Sequence, residues 1–171
     1  MNFYRTVCRM LDNLYKAGGV LAALFLVAIL VLILVQMFAR WTGQVFSGAP
    51  DYAGYCMASA SFLAFAYALN SNSHIRVSIV LNALGKSRYW LEIWCFLAGA
   101  LASTYLAWYA VKANSWSLKF NDISQGQDAT PLWIPQMGMS IGAILLAICF
   151  WDNVVRLIVF KQHAMQSTSI E

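Results

Sequence analysis

Four long apolar runs without a single charge dominate the chain: Gly18–Ala39, Tyr52–Ser73, Ile93–Val111 and Pro131–Trp151. Each is close to the roughly 20 residues that cross a bilayer as a helix. What remains is short connections and two tails, none of them able to enclose a core of its own. The expected fold is therefore an all-α integral membrane protein with four transmembrane helices. Its transmembrane domain covers residues 17–160, with spans at about 18–39, 52–73, 89–111 and 131–151.

Composition excludes the soluble alternative. Hydrophobic residues make up 61% of the chain and charged residues only 11%, less than half the usual quarter of a soluble domain. A soluble four-helix protein would carry a polar stripe on every helix, and these runs carry none. The first run reads as a span rather than a cleaved signal. It is far longer than a signal h-region of about 7–15 residues, and it closes on Phe38-Ala39-Arg40-Trp41 instead of small residues.

The net charge of +4 is sorted by side rather than pooled into a nucleic-acid patch. Arg5, Arg9, Lys16, Arg76, Lys86, Arg88, Arg156 and Lys161 fall on one side of the spans; Arg40, Lys112 and Lys119 fall on the other. The positive-inside rule then puts both termini in the cytoplasm. No Asp, Glu, Lys, Arg or His lies near the middle of any run. Ion and proton pathways in membranes use such costly groups, so the chain alone is a poor pump or proton-coupled carrier. A carrier built on broken helices would need mid-span interruptions. The available glycines, Gly99, Gly138 and Gly142, fit close helix packing better.

Two stretches outside the runs are amphipathic. In residues 1–16, Phe3, Tyr4, Val7, Cys8, Leu11, Leu14 and Tyr15 recur at helical spacing, opposite Arg5, Arg9, Asp12 and Lys16. This pattern suits a helix lying in the headgroup layer, or a brace along a partner. Asp12 and Lys16 form an i,i+4 pair, and Gly18-Gly19 offers a bend into the first span. A second surface helix is expected from His74 to Leu84, where Ile75, Ile79, Val80 and Ala83 oppose Arg76, Ser78 and Asn82. Loops are expected from Arg40 to Pro50 and from Lys112 to Thr130. Pro50-Asp51 opens the second helix, and Thr130-Pro131 reads as an N-cap followed by Pro at the first helical position. Residues 161–171 read as a polar cytoplasmic tail.

No constellation points to an enzyme, a metal or a cofactor. Cys8, Cys56, Cys95 and Cys149 lack the C-x-x-C spacing of a thiol oxidase, and His74 and His163 stand outside the spans. Six of the seven tryptophans, Trp41, Trp90, Trp94, Trp116, Trp133 and Trp151, fall near span ends, as an interfacial aromatic belt requires. Small residues recur at helical spacing: Ala60, Ala64 and Ala68; Gly99 and Ser103; Gly138 and Gly142. Such stripes let helices approach closely, either within the chain or against a second membrane protein.

Several of these segments together resemble a known family. Gln36-Met-Phe-Ala-Arg40, Ala49-Pro-Asp51-Tyr-Ala-Gly-Tyr55, Ser61-Phe-Leu-Ala-Phe-Ala-Tyr-Ala68, His74-Ile-Arg76-Val77 and Thr130-Pro-Leu-Trp-Ile-Pro135 with Gly142 are similar to the small, DctQ-like membrane subunit of tripartite ATP-independent periplasmic (TRAP) transporters. The likeness runs over nearly the whole chain. The family often has an acidic pair where this chain has Asp51 alone, and Asp where it has Ser78. The resemblance implies a scaffold subunit, not a carrier, in the bacterial inner membrane. A large elevator-type membrane subunit would hold the substrate and sodium sites. A periplasmic binding protein would dock transiently and deliver an organic acid, and phospholipids would surround the assembly. Partner-interface candidates are then Arg40, Asp51, Tyr55, His74, Arg76, Gly99, Ser103, Gly138 and Gly142. The alternative is a structural anchoring subunit of another inner-membrane complex.

Overall fold

A computed structural model describes residues 2–44, 46–71, 88–126 and 129–160. The described residues form four long helices: α1 (Asn2–Trp41), α2 (Ala49–Asn70), α3 (Arg88–Phe120) and α4 (Trp133–Phe160). All four contain a stretch long and apolar enough to cross a membrane. The expected surface helix at His74–Leu84, the partner candidates His74 and Arg76, and the tail 161–171 lie outside the described residues.

The helices overrun the apolar runs that announced them. α1 continues unbroken from Asn2 through Gly18-Gly19 to Trp41, so the expected bend is corrected. Those glycines serve packing instead. A Cβ on Gly19 would lie 2.8 Å from the Tyr67 ring, and one on Gly18 would lie 3.4 Å from the Leu63 carbonyl oxygen. The loop expected from Lys112 is corrected as well, because α3 runs on to Phe120. The segment Lys112–Phe120 contains no Gly or Pro to stop it. The stop comes at Asn121, which takes the left-handed conformation with φ 51°, a common helix C-terminal device.

The start of α4 also differs. Thr130 does not cap it. Ile123 and Pro131 form an isolated antiparallel bridge, the Thr130 carbonyl accepts from the Ser124 amide at 2.8 Å, and helix begins only at Trp133. α2 opens as the sequence led one to expect, with Pro50 in its first turn. Gly48 precedes it at φ 86°, a conformation that an L side chain rarely adopts.

The four helices stand in an open row, in the order α1, α2, α4, α3. α1 packs along α2, α2 along α4, and α4 along α3, with a minor α1–α4 contact. α1 and α3 are the two edges. The centre of the row is the α2–α4 seam, and it is closed by small residues. A Cβ on Gly142 would lie 2.6 Å from Phe62 Cβ and 2.7 Å from the Phe62 carbonyl carbon, and one on Gly138 would run into the Ser59 hydroxyl. Ala143 and Ala147 of α4 carry the packing on to Ala107 of α3. At the end holding the start of α1 and the close of α4, here the terminal end, Tyr15, Ala66, Leu69 and Cys149 form a buried cluster. The Cys149 thiol donates to the Ala66 carbonyl at 3.5 Å.

Gly142 differs from Gly19 and Gly99 in that a Cβ there would meet backbone atoms of the neighbouring helix as well as a side chain. Gly142→Ala forces α4 away from the α2 backbone and should destabilise the protein by about 1–3 kcal/mol, the range for overpacking. Gly54, in the same kind of helix, has nothing within 4 Å of a built Cβ. Gly54→Ala should be neutral or stabilise by up to about 1 kcal/mol through helix propensity. Denaturant titration of the two variants in mild detergent checks the contrast.

Candidate partner-docking site

The described residues put the sequence-derived candidates in two kinds of place. Gly99, Ser103, Gly138 and Gly142 lie inside the row. Gly99 faces the Phe150 ring, Ser103 is buried and donates to the Ala100 carbonyl at 3.1 Å, and the other two lie on the α2 seam. Arg40, Asp51 and Tyr55 gather at the opposite, loop end. Arg40 is exposed in the last turn of α1, where a cation complements the helix dipole. Asp51 is half-buried in the first turn of α2, where a carboxylate does the same.

Tyr55 is one turn further along α2, and its hydroxyl donates to Ser124 Oγ at 2.6 Å. Ser124 Oγ also accepts the Gly126 amide at 3.2 Å. Beside it, the Thr130 hydroxyl donates to the Tyr52 hydroxyl at 3.2 Å. The two tyrosines therefore pin both strands of the α3–α4 connection onto the mouth of α2. The Leu132 amide donates to the Asp122 carbonyl at 2.9 Å and ties the base of the connection together. Ala129 takes a left-handed φ of 48°. The result is a shaped, exposed platform: Asn121, Asp122, Ile123, Gln125 and Gly126 are all open. Next to α2, Thr42 caps α1 by donating to the Ala39 carbonyl at 2.9 Å. The contacts of Tyr52, Ser124 and Thr130 leave no local signal in the sequence because their partners lie far along the chain; Tyr55 and Ser124 are 69 positions apart.

A second polar feature was equally hidden. Arg156 of α4 stands 3.1 Å from Asp12 of α1 and 2.8 Å from Asp152 of its own helix. The expected Asp12–Lys16 pair is replaced by this cross-row staple. Asn153, also buried, donates to the Cys149 carbonyl at 2.8 Å. The staple holds Asp12 of α1 against α4 at the terminal end. No group of three or more metal-ligating side chains occurs among the described residues.

The two carboxylates of the staple should contribute unequally. Asp12 is 36% exposed and Asp152 only 8%. Asp12→Asn should cost about 0–1 kcal/mol, as for other exposed pairs. Asp152→Asn should cost more, because it removes the closer, desolvated partner of a half-buried guanidinium. Paired unfolding titrations check the order.

Comparison with curated proteins and with solved structures gives no match. Comparison with protein-family models gives one that covers most of the chain, residues 29–160. It starts within the membrane part of α1 and ends with α4, so it takes in the whole α2–α4 seam, the Tyr52–Tyr55 platform and Arg156. On that match the chain is a multi-pass membrane protein of the DctQ family, the DctQ component of tripartite ATP-independent periplasmic transporters.

Proposed function

We propose that the chain is the small scaffold subunit of a sodium-coupled TRAP transporter that imports an organic acid. Its larger membrane partner moves substrate and sodium, and a periplasmic binding protein delivers the substrate. The observation that carries this reading is the open row. α1 and α3 stand at opposite edges, so the helices do not close around an interior through which a solute could pass. Arg156 pairs with Asp12 and Asp152 at the terminal end, where the charges tie α1 to α4 rather than line a path for ions.

In this reading the protein sits in the bacterial inner membrane with both termini in the cytoplasm. The cation count on the two sides of the spans supports that orientation. The platform of Asn121 to Gly126 with Thr130 then faces the periplasm and gives the binding protein a transient foothold beside Tyr52 and Tyr55. Arg40, Asp51, His74 and Arg76 are the residues proposed to meet partner proteins at the two membrane surfaces. The N-terminal turns of α1 and the stretch from His74 to Leu84 rest in the headgroup layer among phospholipids.

Two experiments test the proposal. Proteoliposomes carrying the larger subunit, the binding protein and a sodium gradient should take up substrate only when this chain is present. Flux through vesicles holding this chain alone would overturn the scaffold reading. Deleting residues 124–127 should lower uptake at limiting binding protein and leave recovery of the two-subunit membrane complex unchanged. Full uptake by the deletion variant would reduce the platform to a spacer.

A further inference from the structure

The exposed faces of the row are not alike. α1 presents Leu24, Val27, Leu30, Val31, Leu34 and Val35, and α4 presents Ile134, Met137, Ile141, Ile144 and Ile148. These side chains carry no N–H or O–H group and suit lipid tails. The free edge of α3 presents Tyr105, Trp108, Tyr109 and Lys112. Tyr105 is 66% exposed and Trp108 71%. The Tyr105 and Tyr109 rings meet with centroids 4.5 Å apart and planes tilted by 46°. The Lys112 ammonium lies 5.9 Å from the Tyr109 ring centroid and 5.1 Å from that of Trp116.

The depth of these residues is what makes them unusual. The apolar run of α3, Ile93–Val111, centres on Ala102, and that of α4, Pro131–Trp151, centres on Ile141. The Ser140 hydroxyl donates to the Ala110 carbonyl at 3.2 Å, so the centre of α4 is level with about Ala110. The middle of the bilayer therefore falls between Ala102 and Ala110 of α3, and Tyr105, Trp108 and Tyr109 all lie in that interval. Tyr and Trp are at home in the headgroup belts, not at the midplane. The Trp108 indole N–H has no acceptor among the described residues, and hydrocarbon offers none. Lys112 is a cation less than one turn from the same interval, a position where charge is expensive in lipid.

We propose that this edge of α3 is the seam against the transporter's larger membrane subunit. That subunit lays a transmembrane helix along α3 and presents oxygen acceptors to the Trp108 N–H, the Tyr109 hydroxyl, which already meets that of Tyr105, and the Lys112 ammonium. The occupant is a protein segment, because lipid tails supply neither acceptors nor negative charge at this depth. The assignment rests on the subunit reading above and adds which edge is used and by what chemistry.

The test uses the two membrane subunits expressed together. p-Benzoylphenylalanine in place of Trp108 should crosslink this chain to the larger subunit on illumination, whereas the same label in place of Leu30 on α1 should not. If the unlabelled subunits co-purify but the label at 108 gives no protein adduct, or the two positions give equal yields, the α3 assignment fails and the subunit reading survives. If the unlabelled subunits do not co-purify at all, the subunit reading itself fails and this seam with it. Trp108→Phe keeps the ring and removes only the N–H. It should lower the apparent affinity between the subunits by about three- to tenfold, the effect of losing one intramembrane hydrogen bond. Unchanged affinity would overturn the hydrogen-bonding role.

Discussion

Backbone-to-backbone approach of α2 and α4 is the contact on which the rest of the row depends. In lipid, apolar burial gives two helices no advantage over lipid tails, so association has to come from close packing and polar contacts. Gly138 and Gly142 provide the close packing by letting α4 lie against Ser59 and Phe62 without an intervening side chain. Once that distance is set, the neighbours follow. Ala143 and Ala147 bring α3 up to α4 through Ala107, and Tyr15 fits between α1, Ala66 and Cys149.

The polar contacts divide the row by position. At the terminal end Arg156 holds α1 and α4 by charge, partly shielded from water. In the middle the bonds are local or single: Ser140 to Ala110, and the Trp151 indole to the Thr104 hydroxyl at 3.0 Å. At the loop end Tyr52 and Tyr55 hold Thr130 and Ser124 against α2. Rigidity at both ends and sparse polar bonding between them fit a chain whose helices keep a fixed order without surrounding a moving solute.

The number of helices and their place in a membrane were legible in the sequence because hydropathy reports directly on the solvent a helix prefers. Helix length was not, because hydropathy marks where lipid is and not where the backbone hydrogen bonds stop. That is why Lys112–Phe120 read as loop and Gly18-Gly19 as a bend. The order of the row was equally hidden: small-residue stripes occur on α2, α3 and α4 alike, and spacing alone does not say which stripe meets which. Tyr55 could be singled out through the family likeness, but its partner Ser124 could not. Asp12 looked paired to Lys16, its neighbour on the helix, because long-range ion pairs leave no local pattern. Trp108 left a signal that is readable in retrospect. It is the one tryptophan absent from the six that sit near span ends.

The row has a mechanical corollary. A closed bundle resists deformation from every direction, because each helix is braced on two sides by the others. Here α3 lacks that bracing and α1 has it only at the terminal end, so the sheet of cylinders resists sliding along its length more than it resists curvature toward the loop end. Such a body can follow the contour of a larger neighbour and the local thickness of the bilayer while each helix keeps its register with the next.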